Sequence, residues 1–163
     1  MVISTKIEEA LNRQINAELY SAYLYLAMAS YFESHTFKGF AHWNAKQFGE
    51  EQGHAMRIYK YIFDRGGRVS LDAIAAPQKE WKSPLDAFSM AYDHEQKVTG
   101  MIHSLVELAR AEKDTATERF LDWFVNEQVE EEDHARTIVD KLTLAKENLG
   151  ALFMIDAELG RRE

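Results

Sequence analysis

The sequence predicts an all-α fold: a four-helix bundle with one long crossover between its second and third helices and a short fifth helix at the carboxyl end. Apolar residues recur at helical spacing in four long stretches, and no window alternates with the period of two that is typical of a strand. Connections of a few residues join the first helix to the second and the third to the fourth, whereas residues 66–82 separate the two pairs. In extended form, such a connection spans the length of a bundle.

The first hairpin is predicted from two helices with clear ends. The first helix is expected over about residues 5–34, where Thr5 and Glu8 match the pattern of a capping box. The second helix is expected over about residues 37–64 and is ended by Gly66-Gly67. Because the connection between them is short, the two helices should pack antiparallel.

The second hairpin begins at Ser83, the expected cap of the third helix, with Pro84 at the first helical position, where a proline loses no hydrogen bond. The third helix is expected to end near residues 112–113. The fourth is expected to begin at residue 114 or 115, where residues 115–118 form a second capping box, and to run to about residues 148–150.

A short amphipathic segment at about residues 151–160 predicts the fifth helix. With 163 residues, 46 % of them hydrophobic, the chain is long enough for one domain with a packed core. We therefore expect a single domain of residues 1–163, with the bundle at about 5–148.

Composition excludes several classes of function. The 19 Lys+Arg and 27 Asp+Glu residues give a net charge of −8, which argues against binding a nucleic-acid backbone. No apolar run approaches the ~20 residues of a membrane span, and the first residues lack the pattern of a secretory signal, so a cytoplasmic protein is expected. The absence of cysteine removes disulfides, iron–sulfur ligation and thiolate zinc sites.

Each long helix carries a carboxylate on its apolar stripe, near its middle. An ionised carboxylate in a core costs several kcal/mol, and no lysine or arginine lies on the inward stripes at this level. A pair of bound cations supplies the missing charge, and carboxylate and imidazole ligands suit iron or manganese. The alternative is a structural polar core. The residues on these stripes are Glu18, Glu51 with His54, Glu95, and Glu131 with His134, preceded by Glu127 and Gln128.

The Glu-x-x-His spacing in residues 51–54 and 131–134 is a weak signal alone, because a chain rich in glutamate produces such pairs by chance. It gains force because both pairs fall near the middle of their helices, on the predicted inward faces.

Four blocks of this sequence resemble the non-haem bacterial ferritins, at residues 14–21, 49–56, 94–96 and 126–132, and the resemblance covers essentially the whole chain. It implies a ferritin-like fold and a ferroxidase, which oxidises Fe(II) with oxygen or hydrogen peroxide at a di-iron site and stores the iron as a mineral. It also implies a homo-oligomeric shell of twenty-four subunits. The alternative is a di-iron oxidase or peroxidase without storage.

The resemblance also implies roles for individual residues. Glu18, Glu51 and His54 look like the ligands of one iron, and Glu51 would bridge to a second iron held by Glu95 and Glu131, with Gln128 close by. A third, looser iron site is matched by Glu50, Glu127 and Glu130. Tyr25 resembles a tyrosine that donates an electron, with a plain core aromatic as the alternative. His134 is expected to ligate the second iron, with a histidine turned outward beside Asp133 as the alternative.

Two further expectations concern haem and assembly. Bacterioferritins bind haem through a methionine where this chain has Gln52, so haem is not expected. Aromatic residues in excess of what one bundle interior needs favour contacts between subunits, with core or crossover packing as the alternative. These residues are Tyr23, Tyr31, Phe32, Trp81 and Phe153.

Overall fold

The computed structural model describes residues 2–163 and contains five helices and no strand in that range. The predicted all-α class is therefore confirmed. No helix in residues 2–163 is long and apolar enough to cross a membrane. The helices are α1 (Thr5–Ser34), α2 (Lys38–Asp64), α3 (Pro84–Ala111), α4 (Thr115–Ala145) and α5 (Leu149–Leu159).

The helix caps agree with the sequence at α3 and differ by one residue at α1. Ser83 Oγ accepts a hydrogen bond from the Asp86 amide at 3.1 Å, as predicted. At α1 the cap is Ser4, whose Oγ accepts from the Ile7 amide at 3.4 Å, so Thr5 is the first helical residue. The predicted capping box is absent because Ile7, not Glu8, takes the third helical position, and the Glu8 carboxylate accepts the Arg68 amide of the crossover.

Residues 65–83 form the long crossover, and two asparagines of α1 hold its first half. The Asn12 side chain donates to the Arg68 carbonyl at 2.9 Å and accepts from the Ser70 amide at 2.8 Å. Asn16 donates to the Ala73 carbonyl at 3.1 Å. The crossover therefore follows α1 and joins the α1–α2 hairpin to the α3–α4 hairpin.

The buried core consists of two apolar clusters with a polar layer between them. One cluster contains Phe32, Phe40 and Phe88, and the other contains Ile15, Ile58, Ile102 and other aliphatic residues. On each long helix, the buried glutamate lies between the parts that belong to the two clusters. The side chains of this layer are Gln14, Glu18, Gln47, Glu51, His54, Glu95, Gln128 and Glu131.

Helix α5 packs against α2 and α4. The Asp156 carboxylate accepts a hydrogen bond from the Phe40 amide at 2.8 Å, across the start of α2. Gly39 is required at this contact, because a Cβ there would lie 1.7 Å from the Asp156 carbonyl oxygen.

The aromatic residues expected to make subunit contacts divide into two groups. Tyr31, Phe32 and Trp81 are buried within the subunit, which supports core and crossover packing for these three. Tyr23 and Phe153 are 47 % and 48 % exposed and stay available for contacts between subunits. Leu26, also on α1, is 40 % exposed.

Candidate metal centre

The four long helices bring four glutamates together in the polar layer. Glu18, Glu51, Glu95 and Glu131 each expose 3 % of their surface or less, and His54 exposes 5 %. Each glutamate comes from a different helix, at a position where apolar residues precede and follow on the same face. The apolar periodicity that forms the bundle therefore also places these carboxylates in its centre.

The ligand atoms of these residues form two groups that share one glutamate. Glu18, Glu51 and His54 make the first group, and Glu51, Glu95 and Glu131 make the second; within each group the ligand atoms lie within 4.8 Å of one another. Because a carboxylate has two oxygens, Glu51 can offer a ligand atom to each of the two groups at once. This arrangement has the form of a two-cation site with a bridging carboxylate.

Neutral side chains donate hydrogen bonds to one oxygen of Glu18, Glu51 and Glu131 and to both oxygens of Glu95. Their contacts leave other carboxylate oxygens available, and Glu18 Oε2 is buried with no hydrogen-bond partner. An unpartnered carboxylate oxygen in a core is costly unless a cation faces it. The donors are Gln14 to Glu18 (2.8 Å), Gln47 to Glu51 (3.1 Å) and Glu131 (2.6 Å), Tyr25 to Glu95 (2.5 Å), and Gln128 to Glu95 (3.2 Å).

The electrostatics of the site show a shortage of positive charge. Burial raises the pKa of Glu131 to about 8 and raises the pKa of Glu95, and neighbouring carboxylates add to both shifts. Burial also raises the pKa of Glu51 well above its usual value. Among residues 2–163, no lysine or arginine is buried.

Burial lowers the pKa of His54, but the nearby Glu18 carboxylate and the hydrogen bond with Glu51 outweigh that effect and raise it to about 11. Its Nδ1 lies 3.0 Å from Glu51 Oε2 and 3.8 Å from Glu18 Oε2. In the protonated form His54 is therefore the single buried positive group facing these carboxylates. The donor set and the charge deficit both fit divalent cations.

The residues matched to a third site are only partly brought together. Glu127 is half-buried, and its Oε1 lies 3.6 Å from His54 Nε2; with Glu131 these residues form a further group of candidate ligands. Glu50 is exposed, and its Oε2 forms an ion pair with Arg162 at 2.8 Å. Glu130 is exposed and belongs to none of the ligand groups found in the described residues.

The structure does not support ligation by His134. This residue is exposed, and it lines a surface depression with Tyr92, Glu130 and Arg136. The inward face of α4 at this level is formed by Glu131 and Ala135. The geometry therefore favours the alternative interpretation, a histidine turned outward beside Asp133.

Tyr25 lies against the second ligand group. It is 1 % exposed, and burial and the neighbouring Glu95 raise its pKa well above the usual value. Its ring centroid is 6.3 Å from that of Trp43. Tyr25 is thus both a core aromatic and a hydrogen-bond donor to a candidate ligand.

Sequence reasoning missed two amides of the site, Gln14 and Gln47. Each lies four residues before a candidate ligand, Glu18 or Glu51, and donates a hydrogen bond to it. Because residues four apart share a helix face, that spacing is the signal by which both could have been found.

A family model and two sequence relatives indicate the same protein family. The sequence model of the family described as "Ferritin-like domain" matches residues 8–145. A bacterial non-heme ferritin of Bacteroides fragilis (strain 638R) is 47 % identical over 161 residues, covering 99 % of this chain and 100 % of that protein. A bacterial non-heme ferritin of Staphylococcus aureus (strain USA300) is 40 % identical and covers 99 % of this chain and 97 % of that protein.

Solved structures agree with the sequence relatives. A structure described as a novel open pore ferritin from the hyperthermophilic archaeon Archaeoglobus fulgidus matches with a TM-score of 0.98 and 56 % identity, covering 99 % of both chains. A structure described as a humanized archaeal ferritin also has a TM-score of 0.98, at 55 % identity, and covers 99 % of this chain and 98 % of that one.

Proposed function

The chain belongs to the ferritin family, and on that premise we propose that it oxidises Fe(II) to Fe(III) at a di-iron site inside the bundle and stores the product as a mineral. The observation that carries this proposal is the position of Glu51 in both ligand groups. One iron is held by Glu18, Glu51 and His54, and the other by Glu51, Glu95 and Glu131. Iron is the substrate of the reaction as well as the stored product.

The protein contributes charge and geometry to the oxidation. Four carboxylates offer four negative charges, which match the charge of two Fe(II) ions and favour the increase in charge on oxidation. Each Fe(II) gives up one electron, so the pair supplies two electrons to oxygen or hydrogen peroxide. His54 must lose its proton before its imidazole can ligate, so iron binding releases protons.

The residues around the pair have supporting roles in this proposal. Gln128 donates to Glu95 and to Thr99, which fixes its amide beside the second iron. Tyr25 would serve as an electron donor, and its hydrogen bond to Glu95 supports that role. The third, looser iron site would use Glu127, with Glu50 and Glu130 turning toward the ion from the exposed positions they occupy here.

Storage requires a closed container, and we propose a homo-oligomeric shell of twenty-four subunits. Exposed apolar side chains on two parts of the subunit support subunit contacts, since surface patches of this kind mark interaction sites. One part combines α1, α2 and the crossover, and the other is α5. The exposed side chains are Tyr23, Leu26, Phe63, Leu71 and Ile74 in the first part, and Leu149, Phe153 and Met154 in the second.

A di-iron oxidase or peroxidase without storage is the competing function, and one observation favours it. A cavity of about 830 Å³ lies between α1, α3 and the crossover. Gln14, the residue that holds Glu18, lines this cavity, so a small molecule there would lie one residue away from the candidate centre.

An anaerobic titration with Fe(II), followed by air, separates the two functions. Storage predicts many irons retained per subunit in an assembly of constant size, measured by iron analysis after size-exclusion chromatography with light scattering. An oxidase retains only about two. Glu51→Gln should lose rapid oxidation, whereas Glu107→Gln, at an exposed position of α3, is the matched control and should behave as the parent. Retention of two irons or fewer by the assembled parent protein would overturn the storage proposal.

A further inference from the structure

Arg162 lies beyond the end of α5 and reaches back to the middle of α2. Its guanidinium carbon is 4.6 Å from the centroid of the Trp43 ring, and 17 % of its side chain is exposed. Its carbonyl oxygen accepts a hydrogen bond from His42 Nε2 at 2.7 Å. Both the backbone and the side chain of this tail residue are therefore fixed against α2.

The guanidinium bonds two side chains of α2. Nη1 donates to Gln47 Oε1 at 3.0 Å, and Nη2 forms the ion pair with Glu50. Gln47 in turn uses Nε2 to donate to Glu51 Oε1 and to Glu131 Oε2. One buried amide thus connects the tail to two carboxylates of the candidate metal centre.

The chemistry of these groups fixes the direction of the amide. A guanidinium carries only donors, so it requires the oxygen of Gln47 to face it. The nitrogen must then face Glu51 and Glu131, which as carboxylates require donors. Without Arg162, the oxygen of Gln47 loses its charged donor. The amide is then held from the side of the carboxylates only, so it can shift and no longer fixes their positions.

We propose that Arg162 is a positioning residue: through Gln47 it sets the orientation of Glu51 and Glu131 for the second metal ion. The inference rests on the proposed function, in which these two glutamates bind iron. It makes the tail after α5 part of the support of the centre. Side chains that orient metal ligands commonly change metal affinity by about 10- to 100-fold when they are removed.

Charge alone has the opposite effect, which makes the proposal testable. Loss of a positive group near the centre should strengthen cation binding, whereas loss of orientation should weaken it. Weakened binding in Arg162→Ala therefore identifies orientation as the cause. Arg162→Lys keeps the charge and one donor for Gln47 but loses the planar fork that also bonds Glu50, so its affinity should lie between those of the parent and Arg162→Ala.

The experiment is a titration of the assembled, metal-free protein with Co²⁺, followed by its visible absorption spectrum and by calorimetry. We expect the parent protein to bind two ions per subunit and Arg162→Ala to bind the second about tenfold more weakly, with an altered spectrum. Arg161→Ala is the matched control, because Arg161 is exposed and bonds only the Ala157 carbonyl of its own segment. It should match the parent.

Gln47→Ala completes the test without changing α5. It should weaken the second ion to a similar extent, and adding Arg162→Ala to it should change little, since the two residues act through one contact. Independent, additive effects would overturn the proposal, as would parent-like or tighter Co²⁺ binding in Arg162→Ala. If Arg162→Ala fails to assemble, the same double-variant comparison is made with Arg162→Met, which keeps the length of the side chain but offers no hydrogen-bond donor to Gln47. If the parent protein itself binds no Co²⁺ pair, the proposed function fails instead.

Discussion

Residues 51–54 of α2 and 131–134 of α4 have the same Glu-x-x-His spacing but place their histidines differently. On α2, His54 is buried and its Nδ1 lies 3.0 Å from Glu51 Oε2. On α4, Glu131 is buried but His134 is exposed. A residue three positions further along a helix lies about 60° to one side of the first. On α2 that side faces Glu18 and Glu127, whereas on α4 it faces solvent.

The difference shows what such a motif can and cannot specify. The spacing determines which side chains share a helix face, but the rotation of the helix about its axis determines what that face contacts. The next buried residue of α4 is Ala135, so the histidine has no place in the interior there. The same motif therefore provides two candidate ligands in one helix and a single candidate ligand in the other.

The largest effect is expected from Glu51→Ala, because both ligand groups contain Glu51. Co²⁺ binding should weaken by at least about 100-fold for both ions, measured by calorimetric titration. Glu132→Ala, beside Glu131 on α4 but outside the three ligand groups found in residues 2–163, is the matched control. Two tightly bound ions in Glu51→Ala would show that no shared ligand is needed.

The variants His54→Ala and His134→Ala test directly whether the two histidines differ in metal binding. His54→Ala should lose tight binding of one ion, because it removes the nitrogen ligand of the first group. His134→Ala should bind two ions with unchanged affinity in the same titration. If His134→Ala loses an ion, the α4 histidine turns inward when metal is present and the two motifs are equivalent.

The pH dependence of metal binding is a second way to distinguish His54 from His134. The raised pKa of His54, about 11, and that of Glu131, about 8, mean that both groups carry protons near pH 7 in the metal-free protein. Metal displaces these protons, so affinity should rise with pH between 6 and 8, by about tenfold per unit for each proton released. Calorimetry in buffers of different ionisation enthalpy counts the protons. His134→Ala should leave that count unchanged, and affinity independent of pH would contradict the expectation.

The same shifts predict the stability of the metal-free protein. Both folded-state pKa values lie above those of the unfolded chain, so the folded protein holds more protons over this range. Stability should therefore fall as pH rises, first through about 4.5 to 8 for Glu131 and then through 6.5 to 11 for His54. Thermal unfolding at pH 6 and pH 9 measures the loss. The loss of stability between pH 6 and pH 9 should be smaller in Glu131→Gln than in the parent, whereas in Glu132→Gln it should equal that of the parent.

The smallest effect is expected from Tyr25→Phe, which removes one hydroxyl donor from Glu95. Co²⁺ stoichiometry should be unchanged, while stopped-flow oxidation of Fe(II) should slow by less than about tenfold. Tyr23→Phe, at an exposed position of the same helix, is the control. An unchanged oxidation rate in Tyr25→Phe would leave the tyrosine a structural role only.

The positions of the long helices could be predicted because the apolar period and the signals for helix ends indicate the same four segments to within a few residues. The exceptions are local. The fourth helix ends at Ala145, before the predicted 148–150, because Lys146 adopts a positive φ of 52°. The first is capped one residue earlier than predicted, since Ser4 supplies the hydroxyl and the Glu8 carboxylate binds the crossover. Neither the end of the fourth helix nor the cap of the first depends on apolar spacing, so the apolar pattern could not predict them.

The centre was predictable in part for a similar reason. Placing Glu18 and Glu95 inside needs only their register with apolar neighbours, which the sequence displays. The outward position of His134 depends on the rotation of α4 against its neighbours, and the position of Arg162 depends on how α5 docks through Asp156. Both positions are determined by how the helices pack against one another, and the apolar period of each helix carries no information about that packing.

The two apolar clusters have a consequence for the path by which an ion reaches the centre. They seal the bundle above and below the polar layer, so a hydrated ion cannot travel along the axis without passing through a packed hydrocarbon core. Entry must be lateral, between helices. Glu127 lies at the boundary between solvent and the polar layer, because 24 % of its side chain is exposed while its Oε1 is 3.6 Å from His54 Nε2. An arriving cation can exchange its hydration shell for carboxylate oxygens there one ligand at a time.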